Sequence, residues 1–171
     1  MTPAIETTRL LLLPLHPDDA TEMEAVVADP ALYAFIGGSP PAAEALEARY
    51  RGWLLGAPRP EEAWHNWVMR LRDGGAAIGH LQATVLDSGR TADIAWVVGT
   101  PWQRRGYATE AALALVEWLE ATGVGVITAH VHPDNVASAL VAGRAGLVRT
   151  ATIEDGEFVW QREDRTPRQA S

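Results

Sequence analysis

The stretch Gln103-Arg104-Arg105-Gly106-Tyr107-Ala108 lies between an apolar, strand-like run at residues 94–98 and the start of an amphipathic helix. A strand, a tight turn and the first turn of a helix together form an anion site, because the helix leaves its first N–H groups unpaired and carries partial positive charge there. Gly106 lets the backbone approach a ligand closely, and Ala108 keeps the next turn small. Arg104 and Arg105 add positive charge. The stretch therefore predicts a site for phosphate or pyrophosphate.

The composition around this stretch is that of an ordinary folded protein. The chain has 171 residues, of which 47% are hydrophobic and 21% charged, enough for one domain with a sizeable core. The absence of cysteine excludes disulfides, thiolate metal ligands and a thiol nucleophile, and we expect no metal site. We predict a single domain over residues 1–171, with a core at about 8–162 and a flexible polar tail at 163–171.

Charge and hydropathy restrict the partners. A net charge of −8 argues against nucleic-acid binding, which favours a basic face. The same charge is compatible with an acidic cleft that attracts a cationic amine, but solubility alone is the better supported explanation. The first residues lack the pattern of a signal peptide, and no apolar run is as long as a membrane span. We therefore expect a cytoplasmic protein with no membrane partner.

Apolar periodicity before the central stretch predicts one strand, two helices and three more strands. The run Leu10-Leu11-Leu12-Leu13 is typical of a buried strand, and Pro17 suits the first turn of the helix that follows. Ser39, ahead of two prolines, predicts a cap for the second helix. Asp73-Gly74-Gly75 and residues 87–90 predict turns that join three antiparallel strands, with Gly79 at a bulge.

After the central stretch, a helix over residues 107–120 separates the strand at 92–98 from a β-branched strand at 126–131. Two strands joined through a helix run parallel. A small-residue helix at 136–144 and a final hairpin complete the chain. The predicted fold class is α+β, with about four helices and one mixed sheet.

Three downstream features extend the first motif. Thr109-Glu110-Ala111 follows it directly, Asn135-x-x-Ser138 comes later, and Gly146-Leu147 lies behind that. Together with Gln-x-x-Gly-x-Ala they resemble the acetyl-CoA-binding motif of the GNAT N-acetyltransferases, in the branch of the RimJ and RimL ribosomal-protein acetyltransferases. The resemblance runs from Thr8 to about Gln161. It implies a mixed, mostly antiparallel sheet with one splayed pair of parallel strands.

The resemblance also implies acetyl-CoA as donor and CoA as product. The pyrophosphate would bind backbone N–H groups of the central stretch, and the pantetheine arm would lie between the splayed strands, with a backbone N–H near Val98 polarising the thioester carbonyl. Thr100 stands where the family usually has proline, and Pro101 follows it. The expected cofactor-binding residues are Trp96, Val97, Val98, Gln103, Arg104, Arg105, Gly106, Tyr107, Ala108, Thr109, Asn135, Ser138 and Arg144.

Two catalytic residues follow from the same resemblance. Asp93 stands where the family often has glutamate, and it can accept the amine proton directly or through water; a solvated or salt-bridged aspartate is the alternative. His80, His130 and His132 are rival bases. Many relatives carry a tyrosine acid at the position of Ala142. The RimJ and RimL branch lacks it and carries the serine, here Ser138, which can hydrogen-bond the CoA sulfur.

For the acceptor, the resemblance implies a primary amine, either a protein N-terminus or a small amine, that attacks the thioester directly in a ternary complex. The aromatic residues of the first two helices are candidates for the acceptor pocket, although core packing explains them too: Tyr33, Phe35, Tyr50 and Trp53. A catalytically silent acyl-CoA sensor is the alternative function. A nucleotide site is disfavoured, because no Gly-x-x-x-x-Gly-Lys-Ser/Thr string is present. Acceptor identity and oligomeric state, including a homodimer, stay open.

Overall fold

A computed structural model of the chain describes residues 1–163, so the predicted tail lies, apart from Glu163, outside the described residues. Eight strands form one sheet in the order β1-β2-β3-β4-β5-β6-β8-β7. The strands are β1 Ile5–Glu6, β2 Leu10–Pro14, β3 Ala63–Leu71, β4 Ala77–Leu86, β5 Thr91–Val98, β6 Val126–Val131, β7 Val148–Glu154 and β8 Glu157–Glu163. The helices are α1 Ala20–Val26, α2 Ala43–Leu54, α3 Tyr107–Ala121 and α4 Val136–Arg144. This confirms the predicted α+β class with four helices.

Strands β5 and β6 form the parallel pair of an otherwise antiparallel sheet. Their ladder has three residue pairs and ends where Asp93 lies opposite Thr128. Strand β5 nevertheless continues to Val98, and β6 to Val131. The two strands therefore separate beyond Asp93, as the family resemblance implied, and the β6 side of β5 is left open for a ligand.

Helices cover both faces of the sheet, so the central strands β3, β4 and β5 alternate between two hydrophobic clusters. Helix α3 packs its stripe of Ala111, Ala112 and Leu115 on the face that carries Leu81 and Ile94. Helices α1 and α2 pack on the other face in a second cluster. Each large side chain buried in this way contributes about 1.5 to 3 kcal/mol to folding. No helix within residues 1–163 is long and apolar enough to cross a membrane.

The structure differs from the sequence prediction at the start of α2. The helix begins at Ala43, and its N-cap, Ala42, makes no side-chain hydrogen bond. Instead, the Ala43 N–H donates to Glu24 Oε1 at 3.1 Å, which replaces the missing cap from the neighbouring α1 segment. The predicted cap at Ser39 is therefore wrong, because a carboxylate distant in sequence satisfies the first free N–H of the helix.

The bulge predicted at Gly79 is found beside it. The register between β3 and β4 shifts after Met69, so that Ile78 is the extra residue between two paired positions. A Cβ atom at Gly79 would overlap the carbonyl oxygen of Val97 on β5. The glycine is therefore needed for the close approach of β4 to the strand that borders the open side of the sheet.

Candidate functional site

A cavity of about 630 Å³ opens where β5 and β6 separate. One side is β5 from Ile94 to Val98, and another is the turn that leads into α3. The remaining lining comes from the end of β6, from α4 and from the segment that follows Pro30. The predicted cofactor residues in this lining are Trp96, Val97, Val98, Gln103, Arg104, Gly106, Tyr107, Ala108, Thr109, Asn135, Ser138 and Arg144.

The turn before α3 has two residues in the left-handed region, Arg104 with φ 62° and Gly106 with φ 83°. Gly106 is the N-cap of α3, so the N–H groups of Tyr107 and the next residues have no acceptor within the helix. Gln103 Nε2 donates to the Val98 carbonyl at 2.9 Å and ties the turn to β5. Such a turn at the start of a 15-residue helix presents N–H donors and positive potential to an anion.

Arg105 is the predicted cofactor residue that does not line the cavity. Its side chain is exposed, while its carbonyl oxygen accepts a hydrogen bond from Arg9 Nη1 at 2.9 Å. Arg105 therefore joins the site through its backbone, and Arg9, which the sequence motif did not include, is the residue that holds it.

The start of α4 forms the wall opposite β5. Asn135 Oδ1 accepts a hydrogen bond from the Ser138 N–H at 3.1 Å, so this side chain caps the helix. Both residues line the cavity, and the Asn135 side-chain NH₂ stays available to a ligand. Ala142, where many relatives carry a tyrosine, is fully buried in the main core. The position of the missing acid is therefore filled by core packing, whereas Ser138 borders the cavity.

Asp93 does not line the cavity, but it contacts a residue that does. The Thr128 hydroxyl donates to Asp93 Oδ1. On the same face of the sheet, His130 Nδ1 lies 3.8 Å from Asp93 Oδ1, and His130 Nε2 lies 3.0 Å from Glu154 Oε2. His130 lines the cavity together with Glu157. The imidazole therefore stands between the two carboxylates at the edge of the open space.

The two rival histidines differ in position. His80 lies outside the cavity lining, and burial lowers its pKa to about 4, so the ring is neutral at pH 7. Its Nδ1 atom is buried without a hydrogen-bond partner. His132 does line the cavity, where its ring centroid lies 5.1 Å from that of Phe35 and its Nδ1 accepts from the Asp134 N–H at 3.2 Å. The structure therefore brings His130 and His132 to the cavity, and leaves His80 outside it.

Of the four aromatic candidates for an acceptor pocket, Phe35 lines the cavity. Tyr50 is 2% exposed and packs in the α1–α2 cluster, where burial raises its pKa to about 12 and its ring stacks on Trp53. Tyr33 donates its hydroxyl to the Val27 carbonyl at 3.0 Å. The structure thus places Tyr33, Tyr50 and Trp53 in packing roles away from this cavity.

Sequence reasoning missed other residues of the same wall. Ala31, Leu32 and Ile36 surround Phe35 and extend the apolar lining. Ala31 and Leu32 belong to the short helical turn Pro30–Tyr33, which Asp29 caps, and Ile36 follows it. The Asp29 carboxylate also accepts a hydrogen bond from the Thr100 hydroxyl at 2.7 Å, a contact between distant segments that no local pattern indicates.

Comparison with known proteins identifies the class. Residues 9–148 match the family described as acetyltransferase (GNAT) domain. This region is most of the chain, so the protein belongs to the GNAT acetyltransferase family. Enzymes of this family use acetyl-CoA as the acetyl donor. The cavity fits that donor, because an anion-binding turn and a gap between parallel strands both border it.

Individual relatives are more distant. The chain is 34% identical over 80 residues to the uncharacterized N-acetyltransferase YnaD of Bacillus subtilis, a match that covers 46% of this chain and 47% of YnaD. It thus spans about half the length of this relative. The fold is also that of RimL, a ribosomal L7/L12 alpha-N-protein acetyltransferase in complex with coenzyme A (TM-score 0.78, 17% identity, 94% and 98% coverage). It likewise matches the aminoglycoside acetyltransferase AAC(6')-Ib in complex with coenzyme A (TM-score 0.74, 19% identity, 90% and 94% coverage).

Proposed function

We propose that this protein is an acetyl-CoA-dependent N-acetyltransferase that moves an acetyl group to a primary amine in a ternary complex. The observation that carries the proposal is that one cavity joins the turn at Gly106, the open side of β5 and the imidazole of His130. Acetyl-CoA held at the turn and along β5 would present its acetyl group beside His130. The single domain and the RimJ/RimL-like motif remain predictions from the sequence.

The binding roles follow from the geometry of the lining. Backbone N–H groups from Arg104 to Ala108 would hold the pyrophosphate, and the side chains of Arg104 and Arg144 add charge for CoA phosphates. Beyond Asp93 the β6 side of β5 has no strand partner. A backbone N–H near Val98 would therefore be free to donate to the thioester carbonyl, an interaction that contributes about 3 to 4 kcal/mol where such donors are preorganised.

Acetyl-CoA supplies an acyl group on a thiolate leaving group, and the protein must remove protons from the attacking amine. We infer that the neutral ring of His130 carries its hydrogen on Nε2, which lies 3.0 Å from Glu154 Oε2, and that the first proton goes to Nδ1. Asp93 acts through His130 as a positioning residue and holds negative charge next to the imidazolium. The neutral amine nitrogen would then attack the thioester carbon, the C–N bond would form and the C–S bond would break. The second proton of the nitrogen would pass to the departing thiolate, which Ser138 would orient, so that the products are the amide and free CoA.

The charges near His130 support an amine as acceptor. Asp93 and Glu154 flank the imidazole, Glu157 lines the same cavity, and the whole chain carries a net charge of −8. This potential attracts an ammonium group. RimL and AAC(6')-Ib are named for a protein N-terminus and an aminoglycoside, respectively. Either class, a peptide or a small amine, is consistent with the cavity, and we propose no narrower acceptor.

The proposal is tested by measuring free CoA released from acetyl-CoA in the presence of a panel of amines: N-terminal peptides, aminoglycosides, polyamines and amino acids. We expect turnover with at least one class. Tight binding of CoA in calorimetry with no turnover on any amine would instead indicate a catalytically silent sensor. Failure to bind CoA would remove both functions.

Ser138 offers a smaller test of the same site. If its hydroxyl only orients the sulfur, Ser138→Ala should lower kcat/KM by roughly five- to tenfold, as expected for the loss of one hydrogen bond of about 1 to 1.5 kcal/mol. The loss should depend little on the basicity of the amine. Ser39→Ala, which changes an exposed serine outside the cavity lining, is the control. Wild-type rates for Ser138→Ala would exclude the serine from the mechanism.

A further inference from the structure

Arg9 precedes β2 and lies outside the cavity lining, yet it contacts the anion-binding turn in two ways and lies close beneath Gly106. Its Nη1 donates to the Arg105 carbonyl at 2.9 Å, and its guanidinium lies 4.5 Å from the centroid of the Tyr107 ring. Its Nη2 would be 3.3 Å from a Cβ atom at Gly106. These contacts place a cation directly under the turn, and none of them follows from the sequence motif.

Glu110, in the first turn of α3, fixes the other edge of Arg9. Its Oε2 accepts from Arg9 Nε at 2.7 Å, while Oε1 accepts from the Arg9 N–H at 2.7 Å and from the Thr7 hydroxyl at 2.6 Å. Burial acts to raise the pKa of Glu110, but these hydrogen bonds outweigh it and the pKa lies below its usual value. The carboxylate is therefore charged at neutral pH, and this Arg9–Glu110 pair is lost only as the pH falls through that lowered pKa.

The hydrogen bond from Arg9 to the Arg105 carbonyl determines where the next backbone N–H points. In a planar trans peptide the C=O and N–H groups point to opposite sides. When Arg9 holds the Arg105 oxygen, the Gly106 N–H must point away from Arg9, to the other side of the turn. Arg104, Gly106 and Tyr107 line the cavity there. Arg9 thus fixes the direction of the Gly106 N–H before any ligand binds.

We propose that Arg9 is a positioning residue for the diphosphate of the donor, which rests on the proposed function. The turn has two residues in the left-handed region, one of which, Arg104, is not glycine. This conformation is costly unless its surroundings hold it. With Arg9 in place, the turn is ordered when the protein folds. Without Arg9, the free energy needed to order the turn must come from ligand binding, which lowers the affinity.

The role requires the guanidinium fork rather than charge alone. Arg9 bonds Glu110 and the Arg105 carbonyl at once, and its plane lies over an aromatic ring. A lysine ammonium cannot meet the three contacts together from one position. The contribution should appear only for ligands that carry the diphosphate, because pantetheine lacks the group that the turn would hold.

The test compares Arg9→Met and Arg9→Lys with wild type in calorimetric titrations of CoA and of pantetheine. We expect Arg9→Met to weaken CoA binding about tenfold and to leave pantetheine binding unchanged. Arg9→Lys should recover less than half of the lost binding free energy. Arg72→Met is the matched control, because Arg72 donates to the Thr7 carbonyl at 2.9 Å in the same N-terminal segment without contacting the turn.

Each other outcome overturns the proposal in a recognisable way. Equal weakening of CoA and pantetheine would show a general structural role, and full recovery with lysine would show that charge alone matters. If Arg9→Met does not fold, Glu110→Gln, which removes the charge and keeps the shape, must weaken CoA selectively. If wild type binds CoA and no variant changes that affinity, the positioning role of Arg9 is refuted and the proposed function is not. If wild type does not bind CoA, the proposed function is refuted as well.

Discussion

Replacing His130 by asparagine should lower kcat/KM with a cognate amine by about 10²- to 10⁴-fold at neutral pH, the range that a positioned base contributes. His130 borders the cavity, and in the proposed tautomer Nε2 donates to Glu154 and Nδ1 accepts the amine proton. The affinity for CoA should stay at the wild-type value, because no part of the anion-binding turn contacts this side chain.

The pH dependence of kcat/KM tests whether His130 is the base. A primary amine such as lysine has a pKa of about 10.4, so almost all of it is protonated at neutral pH. As the pH rises, more of the amine is already neutral and needs no base. The loss in His130→Asn should therefore shrink steadily toward alkaline pH. Asp93→Asn should show the same trend with a smaller loss, because Asp93 lies 3.8 Å from His130 and acts through it.

The decisive measurement is kcat/KM against pH for His130→Asn, Asp93→Asn and His132→Asn. His132 lines the same cavity, but its Nδ1 already accepts a backbone N–H. A pH-dependent loss confined to the His132 variant would move the base to that residue. A loss in Asp93→Asn alone would return the role to Asp93 through water, as the sequence allowed. Wild-type rates in all three variants would leave water as the base.

The parts of this molecule that the sequence predicted are those that local chemistry determines. The glycine turn and the helix after it each follow from a contiguous pattern. Local patterns of this kind specify most of the cofactor side of the cavity. The separation of β5 from β6 was an expectation from the family resemblance, because no local pattern in either strand specifies it.

The parts that escaped prediction depend on contacts between distant segments. Arg9 and Glu110 are 101 residues apart, and nothing near Arg9 in sequence indicates an anion-binding turn. The sequence does not show that Phe35 lies in the cavity wall whereas Tyr50 is buried in the core, because both are aromatic residues near helices. Which face of a helix meets the cavity is decided by tertiary packing, and the acceptor side of the site is built almost entirely in this way.

The part of the site that would bind acetyl-CoA is tested most strongly at Gly106. We expect Gly106→Val to weaken CoA binding at least tenfold, equivalent to about 1.4 kcal/mol. A valine at φ 83° is strained, and its Cβ would press against Arg9 Nη2 at 3.3 Å. Both effects move the turn from the conformation that directs its N–H groups to the cavity. Calorimetric titration with CoA measures the change.

Strain alone must be separated from loss of the anion site, and Gly74 provides the control. It lies in the turn between β3 and β4 with φ 79°, and a Cβ atom there would meet nothing within 4 Å. Gly74→Val therefore carries similar backbone strain, about 1 to 2 kcal/mol, at a position remote from the cavity lining. The two variants should lose comparable thermal stability, but only Gly106→Val should lose CoA affinity. Equal CoA affinity in both would mean that the backbone at Gly106 does not approach the pyrophosphate, and the turn before α3 would then serve only to start the helix.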